Sequence, residues 1–149
     1  MKPYFVQKII DKTFRTFGFK DNIEITLEAN PDDLIETKII ELAESPVNRL
    51  SIGVQSFFED DLKLMNRAHN AHEAKKCLEI ATSYFDNITI DLMFGMPTMS
   101  VEQWRENLQT AFGFGIKHLS CYALTVEPKT ALEHFKNIGS HPPMDDEVS

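Results

Sequence analysis

The chain has 149 residues, of which 42% are hydrophobic and 26% charged, a composition that is typical of one folded domain, 1–149, and excludes disordered and collagen-like proteins. Its formal net charge is -8, with a pI near 5.1 and scattered lysines, which argues against nucleic acid as a partner. No apolar run reaches the ~20 residues of a membrane-spanning helix and the N-terminus lacks the layout of a secretory signal, so we expect a cytoplasmic protein.

The first third of the chain predicts a helix, a strand and a second helix. Apolar residues at helical spacing predict a helix from Phe5 to Phe17, with Gly18 as its stop. Alternating polar and apolar residues predict a strand from Ile23 to Leu27 that is buried on one face. Asn30, followed by Pro31 and two acidic residues, predicts an N-cap and a helix that continues to about Glu44.

The same order of elements continues along the chain. Hydrophobic periodicity predicts strands at 50–55, 87–93 and 119–123, and helices at 59–65 and 72–85. A further helix begins at Ser100, which forms a capping-box pattern with Gln103. We expect this helix to bury one face, made of Val101, Trp104, Leu108, Ala111 and Phe112.

Strands that alternate with crossover helices predict an α/β fold with a parallel sheet and right-handed connections. A closed eight-fold barrel typically needs about 250 residues, so the chain is either a small doubly wound domain or part of a (β/α) barrel. The ending from Pro142 to Ser149 resembles the first turn of a helix. We therefore expect the chain to be a fragment of a longer protein.

One face of the predicted sheet is polar, and this face carries the functional information. The opposite, apolar positions should pack on the helices, whereas small and polar residues share the other side: Glu24, Thr26, Glu28, Ser51, Gly53, Gln55, Thr89 and Asp91. Because a buried, unpaired carboxylate costs several kcal/mol, Glu28 and Asp91 should meet water, a cation or a ligand. Both lie at the carboxyl ends of strands, where parallel α/β folds bind small molecules. A sheet with one solvated face is the alternative.

Three further features of the sequence bear on its function. Phosphate-binding loops are absent from the sequence, which argues against a nucleotide hydrolase. Cys77 and Cys121 are expected to be small buried thiols and not a disulfide. His69 and His72 could form a metal pair, but a polar loop between helices explains their spacing better.

The segments ITLEANP, NRLSIGVQSF, LKLMNRAHN, NITIDLMFGMP and CYALTVEP, in this order, resemble the oxygen-independent coproporphyrinogen III oxidase-like radical S-adenosylmethionine (SAM) proteins. The resemblance runs from about Ile23 to Pro128. It implies a partial (β/α) barrel, truncated at both ends, that binds SAM.

The resemblance also implies roles for individual residues. Glu28, Gln55 and Asp91 would hydrogen-bond SAM, chiefly at its ribose hydroxyls, and Arg67 would hold the methionine carboxylate. Thr125 matches a further cofactor-contacting position, through its backbone and beyond the end of the last strand. Gly53 would let the cofactor approach the main chain. No residue of the chain is expected to be catalytic or to bind a metal.

The chain departs from the family pattern because it lacks the three-cysteine motif that ligates a [4Fe–4S] cluster, and the glycine-rich segment that contacts the SAM methionine group. We expect both to precede Met1 and a C-terminal domain to follow Ser149, which would leave this piece inactive alone. The longer protein would be a haem chaperone, with the oxidase as the alternative and haem or another tetrapyrrole as the ligand. An unrelated small α/β ligand-binding domain is a third possibility. Exposed strand edges predict that the fragment self-associates.

Overall fold

A computed structural model of the chain describes residues 2–18 and 22–125. The helical turn predicted at Pro142–Ser149 lies outside the described residues. Strands and helices alternate along the described chain, in the following order: α1 Pro3–Phe17, β1 Thr26–Ala29, a 3-10 turn Pro31–Asp33, α2 Glu36–Ala43, β2 Arg49–Gln55, α3 Glu59–Leu64, α4 Ala71–Tyr84, β3 Ile88–Phe94, α5 Val101–Gly113 and β4 His118–Ala123.

The four strands form one sheet in the order β1-β2-β3-β4, and every neighbouring pair is parallel. Within the described part of the chain the sheet is open, because β1 and β4 lie at opposite edges. The predicted parallel α/β architecture is therefore confirmed. Within the described residues, no helix is both long enough and apolar enough to cross a membrane.

The hydrophobic core lies between one face of the sheet and the helices. Leu50, Ile52 and Val54 of β2 are completely buried, as are Ile90 and Leu92 of β3. Helix α4 contributes one apolar stripe to this core, made of Ala74, Cys77, Leu78 and Ala81. The predicted division of each strand into an apolar and a polar side is confirmed for the two central strands.

The first strand is displaced from its predicted position. The sequence pattern predicts it at Ile23–Leu27, but the ladder begins at Thr26 and ends at Ala29. The Asn48 side chain takes the place of a paired strand here, since its Oδ1 accepts from Ile25 N at 2.8 Å and its Nδ2 donates to Ile23 O at 2.8 Å. A side chain can satisfy backbone groups without forming a ladder, and periodicity alone does not reveal this.

The predicted helix from Asn30 to Glu44 is wrong in its first turn. A short 3-10 turn occupies Pro31–Asp33, and Leu34 then leaves the helical region with φ -102° and ψ 65°. Helix α2 starts only at Glu36, and the Asn30 side chain makes no cap hydrogen bond. The displacement matters for function because Asn30 has a different partner, described below.

Capping explains where the last two helices begin. Asn70 and Glu73 form a capping box at the start of α4, and Ser100 and Gln103 form the predicted one at the start of α5. The predicted buried face of α5 is partly wrong: Ala111 is fully buried, but Val101 and Phe112 are 55% and 60% exposed. The apolar face that α5 buries is therefore narrower than its sequence suggests.

The two thiols differ in accessibility. Cys77 is buried in α4, as predicted, and burial raises its pKa to about 12. Cys121 is exposed on the edge strand β4, so the prediction that it is buried is wrong. The edge strand has a neighbour on one side only, and this is why a strand position that reads as core remains accessible.

This difference predicts selective alkylation. In mildly alkaline buffer, iodoacetamide should label the native chain at Cys121, because this thiol is exposed and Cys77 is buried. Burial raises the pKa of both thiols, that of Cys77 to about 12. Intact mass and peptide mapping should show one added group, and two after unfolding in urea. A Cys121→Ser variant provides the control and should remain unlabelled until it unfolds. Rapid native labelling of Cys77 would contradict the packing of α4.

Candidate functional site

Four of the five predicted site residues line one pocket. This open pocket has a volume of about 260 Å³ and lies over the polar face of the sheet, at the ends of β1 and β2 and the middle of β3. The prediction that Asp91 lies at the carboxyl end of its strand is wrong, because β3 continues to Phe94. Its lining residues are Glu28, Ala29, Asn30, Asp33, Ser51, Gly53, Gln55, Arg67 and Asp91. Thr125 is not among them; it is exposed and lies two residues beyond β4, in agreement with the expectation that the strand has ended there.

Gln55 lies at an irregularity of the sheet. The register between β2 and β3 shifts between Ile52 and Gln55, and Gln55 has φ 69°. A non-glycine residue in this left-handed region stores strain, which the surrounding structure must hold in place. The consequence is a buried amide at the tip of β2, only 8% exposed, whose Oε1 has no hydrogen-bond partner among the described residues.

Arg67 follows α3 and reaches back to the pocket. Its Nη2 donates to Asn30 Oδ1 at 2.6 Å and to the Gly53 carbonyl oxygen at 3.0 Å. A guanidinium carries five N–H donors, so these two bonds fix the group and leave donors for a carboxylate. Asn30 thus orients Arg67 instead of capping a helix.

Because Gly53 has no side chain, the pocket extends close to the main chain at this position. A Cβ atom built at this position would lie 3.1 Å from Gln55 Nε2, 3.2 Å from Asn30 Oδ1 and 3.3 Å from Arg67 Nη2. These separations are tighter than ordinary contacts, so a larger residue would push on three polar groups at once. The glycine keeps the three side chains together.

Asp91 and Tyr122 form a coupled pair on β3 and β4. Burial raises the pKa of Asp91, hydrogen bonds from Tyr122 and Ser120 oppose the rise, and the charge of Glu28 adds to it. The pKa of Tyr122 is raised to about 12, first by burial and then by the charge of Asp91 and the hydrogen bond to it. The Asp91 carboxylate is therefore partly desolvated, and hydrogen-bond donors stabilise its charged form.

The Arg49 side chain binds the polar groups at the amino-terminal end of the polar face of the sheet. Its Nη1 donates to Glu24 Oε1 and Thr26 Oγ1, both at 3.2 Å, and its Nη2 donates to Thr89 Oγ1 at 2.5 Å. His118 Nδ1 lies 3.3 Å from the same nitrogen. These contacts satisfy the polar residues below the pocket, so Glu28 and Asp91 face a space that the protein itself does not fill.

His69 belongs to the core and not to the pocket lining. It is 2% exposed, its Nε2 lies 3.1 Å from the Val54 carbonyl oxygen, and its Nδ1 lies 3.7 Å from Asp32 Oδ1. His69 lies in the segment that joins α3 to α4, as predicted, but its side chain is buried, and His72 belongs to α4. Within residues 2–18 and 22–125, no group of three His, Cys, Asp or Glu side chains could hold a metal ion.

A buried polar network supports the end of β2. Asp61 accepts hydrogen bonds from Ser56 Oγ and Thr98 Oγ1, each at 2.6 Å, and Asn107 Oδ1 accepts from Phe57 N at 2.7 Å. Ser56, Asp61 and Asn107 are each at most 1% exposed. The network joins the segment after Gln55 to α3, α5 and the loop after β3, and sequence reasoning did not find it.

Two of the residues missed by sequence reasoning had a usable signal. Ser120 and Tyr122 alternate with Leu119 and Cys121, so the rule that assigned the polar side of the other strands also applies to β4. The Asn107 signal was weaker, because a single asparagine in an amphipathic helix is usually exposed.

The network predicts a measurable loss of stability. Replacing Asn107 by Ala should lower the free energy of unfolding by about 1–3 kcal/mol, because the Phe57 amide and the Ser56 hydroxyl lose a buried partner. Urea unfolding followed by circular dichroism would measure the change. Gln109→Ala on the exposed side of the same helix is the matched control and should change stability by less than about 0.5 kcal/mol. Equal effects of the two substitutions would contradict the network.

Sequence comparisons point to one superfamily. A sequence model described as the radical SAM superfamily matches residues 2–138. The protein "Heme chaperone HemW" of Haemophilus influenzae is 40% identical over 117 residues, which cover 78% of this chain and 30% of that protein. "Heme chaperone HemW" of Escherichia coli is 36% identical over 140 residues, covering 93% and 35%. "Radical S-adenosyl methionine domain-containing protein 1, mitochondrial" of Mus musculus is 35% identical over 131 residues, covering 87% and 30%. The chain thus spans about a third of the length of these relatives.

Structural comparisons agree on the fold. Coproporphyrinogen III oxidase (HemN) from Escherichia coli, described as a radical SAM enzyme, matches with a TM-score of 0.81 at 21% identity, over 99% of this chain and 34% of that chain. Elp3 from the archaeon Methanocaldococcus infernus matches with a TM-score of 0.70 at 26% identity, over 81% and 29%. The expected fold, an open part of a (β/α) barrel, is confirmed by these likenesses.

Proposed function

Because the chain belongs to the radical SAM superfamily, we propose that its polar pocket binds S-adenosylmethionine. The observation that carries the proposal is the buried Gln55 Oε1, which lacks a protein partner among the described residues and lies in a pocket with two carboxylates. A buried acceptor without a partner is costly, and a ligand hydroxyl would remove that cost. The pocket therefore fits a ligand that brings hydrogen-bond donors.

The ribose of S-adenosylmethionine supplies such donors. Glu28, Gln55 and Asp91 line one pocket and lie on three adjacent strands. Carboxylate and amide oxygens accept from vicinal hydroxyls, and acceptors held in fixed positions discriminate strongly against ligands that lack those hydroxyls. The partly desolvated Asp91 should contribute the strongest of these bonds, since it is charged and shielded from water.

Arg67 is suited to the carboxylate of the methionine part. Its bonds to Asn30 and to the Gly53 carbonyl hold the guanidinium at the edge of the pocket. A planar guanidinium pairs with a carboxylate through two parallel hydrogen bonds, which fixes the orientation of the ligand as well as its position. Gly53 would allow the cofactor to approach the main chain, and Thr125 would add a backbone contact.

The chemistry that the cofactor supplies when bound beside a [4Fe–4S] cluster is radical chemistry of its 5′-deoxyadenosyl group. The residues of this chain would bind and orient the nucleoside and the amino acid carboxylate. We propose that the cluster is held by another part of a longer protein, of which this chain is the central piece of the SAM-binding core. The expected cytoplasmic location stays a prediction.

For the longer protein we propose a haem chaperone that handles haem or a related tetrapyrrole. The support is that the two relatives named HemW described above are 40% and 36% identical to this chain. The alternative is an oxidase that decarboxylates coproporphyrinogen III. Haem transfer to an acceptor protein, compared with coproporphyrinogen turnover, would separate the two when measured on the longer, cluster-loaded protein. Turnover without haem transfer would overturn the chaperone proposal.

Binding of S-adenosylmethionine can be tested on the chain itself. We expect weak binding, because no metal is present to chelate the amino acid. NMR titration of the ¹⁵N-labelled chain can measure a weak dissociation constant. Asp91→Asn should weaken binding by about tenfold to a hundredfold, since a charge-assisted hydrogen bond contributes about 1.5–3 kcal/mol.

The matched control for this titration is Asp86→Asn, which removes a carboxylate from an exposed position just before β3. It should leave the dissociation constant within about twofold of the unmodified chain, as expected for a distant surface change. Equal effects of the two substitutions, or no chemical-shift change with saturating S-adenosylmethionine, would contradict the proposed site. Tight binding by the chain alone would contradict the expectation that the metal contributes to affinity.

We also propose that the chain self-associates. The strands β1 and β4 are edges of the described sheet, and α1 exposes the large apolar side chains Tyr4, Phe5 and Ile9. Unpaired strand edges and apolar patches favour association with further copies.

Self-association can be tested by measuring the molecular mass of the chain in solution. Light scattering after size exclusion should give a mass above that of the 17.1 kDa monomer, and the mass should rise with concentration in the micromolar range. Phe5→Glu should shift the distribution towards monomer, because it places a charge in the apolar patch. Phe112→Glu replaces a similarly exposed phenylalanine on α5 and should have a smaller effect. A strictly monomeric profile at all concentrations would refute the prediction.

A further inference from the structure

His69 binds the main chain directly before the strained residue of the pocket. Its Nε2 lies 3.1 Å from the Val54 carbonyl oxygen, and its side chain is completely buried. A carbonyl oxygen can only accept, so Nε2 carries a hydrogen and donates it to Val54. The other ring nitrogen, Nδ1, is buried without a hydrogen-bond partner among the described residues, and Asp32 Oδ1 lies 3.7 Å away. An apolar side chain would avoid the cost of that nitrogen, which indicates that the position requires the donor at Nε2.

The Val54 carbonyl closes a tight turn around Gln55. The Ser56 N–H donates to the same oxygen at 2.9 Å, which makes a three-residue γ-turn with Gln55 at its centre. Gln55 has φ 69°, and a γ-turn with positive φ is rare and strained. Such a conformation persists only where its surroundings determine it. The bond from His69 uses the second lone pair of the oxygen and therefore holds the turn from outside.

The strand register skips the two residues that precede Gln55. The register of β2 against β1 ends at Ile52, and the register against β3 passes from Ile52 to Gln55. The carbonyl oxygens of the skipped residues accept from side chains instead: that of Gly53 from Arg67 at 3.0 Å, and that of Val54 from His69. Arg67 and His69 both belong to the segment 65–70, which joins α3 to α4. One segment therefore holds two consecutive carbonyl groups at the end of β2.

We propose that His69 is a positioning residue that holds the turn 54–56 and thereby keeps the Gln55 amide oxygen at the ribose of the ligand. The inference rests on the proposed binding of S-adenosylmethionine and adds to it a determinant that lies outside the pocket lining. Gln55 lines the pocket, and its buried Oε1 has no partner among the described residues. Without a donor at position 69 the turn can relax to an unstrained conformation and carry this oxygen away from the ligand. Affinity for the ribose hydroxyls would then fall, whereas affinity for the rest of the ligand would not.

Two substitutions at position 69 separate the donor from the packing. His69→Gln keeps an N–H donor on a side chain of similar reach, and His69→Met fills a similar volume with a flexible apolar side chain that has no donor. The matched control is His72→Met, which makes the same change at an exposed position of α4, three residues along the chain. Amide spectra of the ¹⁵N-labelled chain report that each variant is folded.

The first measurement compares S-adenosylmethionine with its 2′,3′-dideoxy analogue, which lacks both ribose hydroxyls, by NMR titration. The unmodified chain, His69→Gln and His72→Met should bind the analogue about tenfold more weakly, because fixed acceptors lose their donors. In His69→Met this preference should fall to about twofold, through weaker binding of S-adenosylmethionine and not through a change in binding of the analogue. A role in packing alone would leave the preference unchanged.

The outcomes of this titration separate the two proposals. An unchanged preference in folded His69→Met overturns the role of His69 and leaves the proposed function standing. Absence of S-adenosylmethionine binding by the unmodified chain overturns both. His69→Gln keeps the inference testable if His69→Met does not fold, because loss of the preference in folded His69→Gln would overturn the role of the donor.

A second measurement needs no ligand. The Ser56 N–H donates to the Val54 carbonyl, so its hydrogen exchange reports opening of the turn. In His69→Met the exchange rate of Ser56, divided by that of Leu78 in α4, should rise about tenfold, whereas His69→Gln and His72→Met should keep this ratio. The division removes changes in global stability. An unchanged ratio in His69→Met, or an equal rise in His69→Gln, would overturn the inference.

Discussion

The division of the sheet into an apolar and a polar face is the constraint on which the structure depends. All four strands of the described residues are parallel, yet within this part of the chain the helices cover one face, where residues such as Ile52 and Ile90 are buried. Parallel strands that are covered on both faces are apolar throughout, so the polar side here must be filled by something other than core. At its amino-terminal end Arg49 satisfies the polar groups, and at its carboxyl end the pocket remains for a ligand.

Much of the fold and part of the site could be predicted from these alternations. Period-two patterns locate the strands to within about three residues and assign Glu28 and Asp91 to one polar face, and both residues line the same pocket. The specific partners of side chains could not be predicted. Asn30 has the sequence context of a helix cap but accepts from Arg67, since either role satisfies an amide and only the fold decides between them.

Edge positions show a second limit of sequence reasoning. Cys121 and Phe112 have the residue types and spacing of core, and both are exposed. Periodicity reports which side of an element a residue is on, whereas burial also requires that another element covers that side. In an open sheet the last strand and the last helix lack such a neighbour within the described residues, so burial is overestimated there.

The strained residue of the pocket depends on groups that lie outside it. Gln55 holds a left-handed conformation that costs about 1–3 kcal/mol, and such a conformation persists only where its surroundings determine it. Ser56 and Asp61, both buried, fix the segment that follows through hydrogen bonds, although apolar residues of similar volume would cost less to bury. These bonds hold the main chain after Gln55, whereas the amide oxygen of Gln55 itself has no partner among the described residues. The pocket therefore keeps a buried acceptor in a fixed place, which a ligand with a hydrogen-bond donor would satisfy.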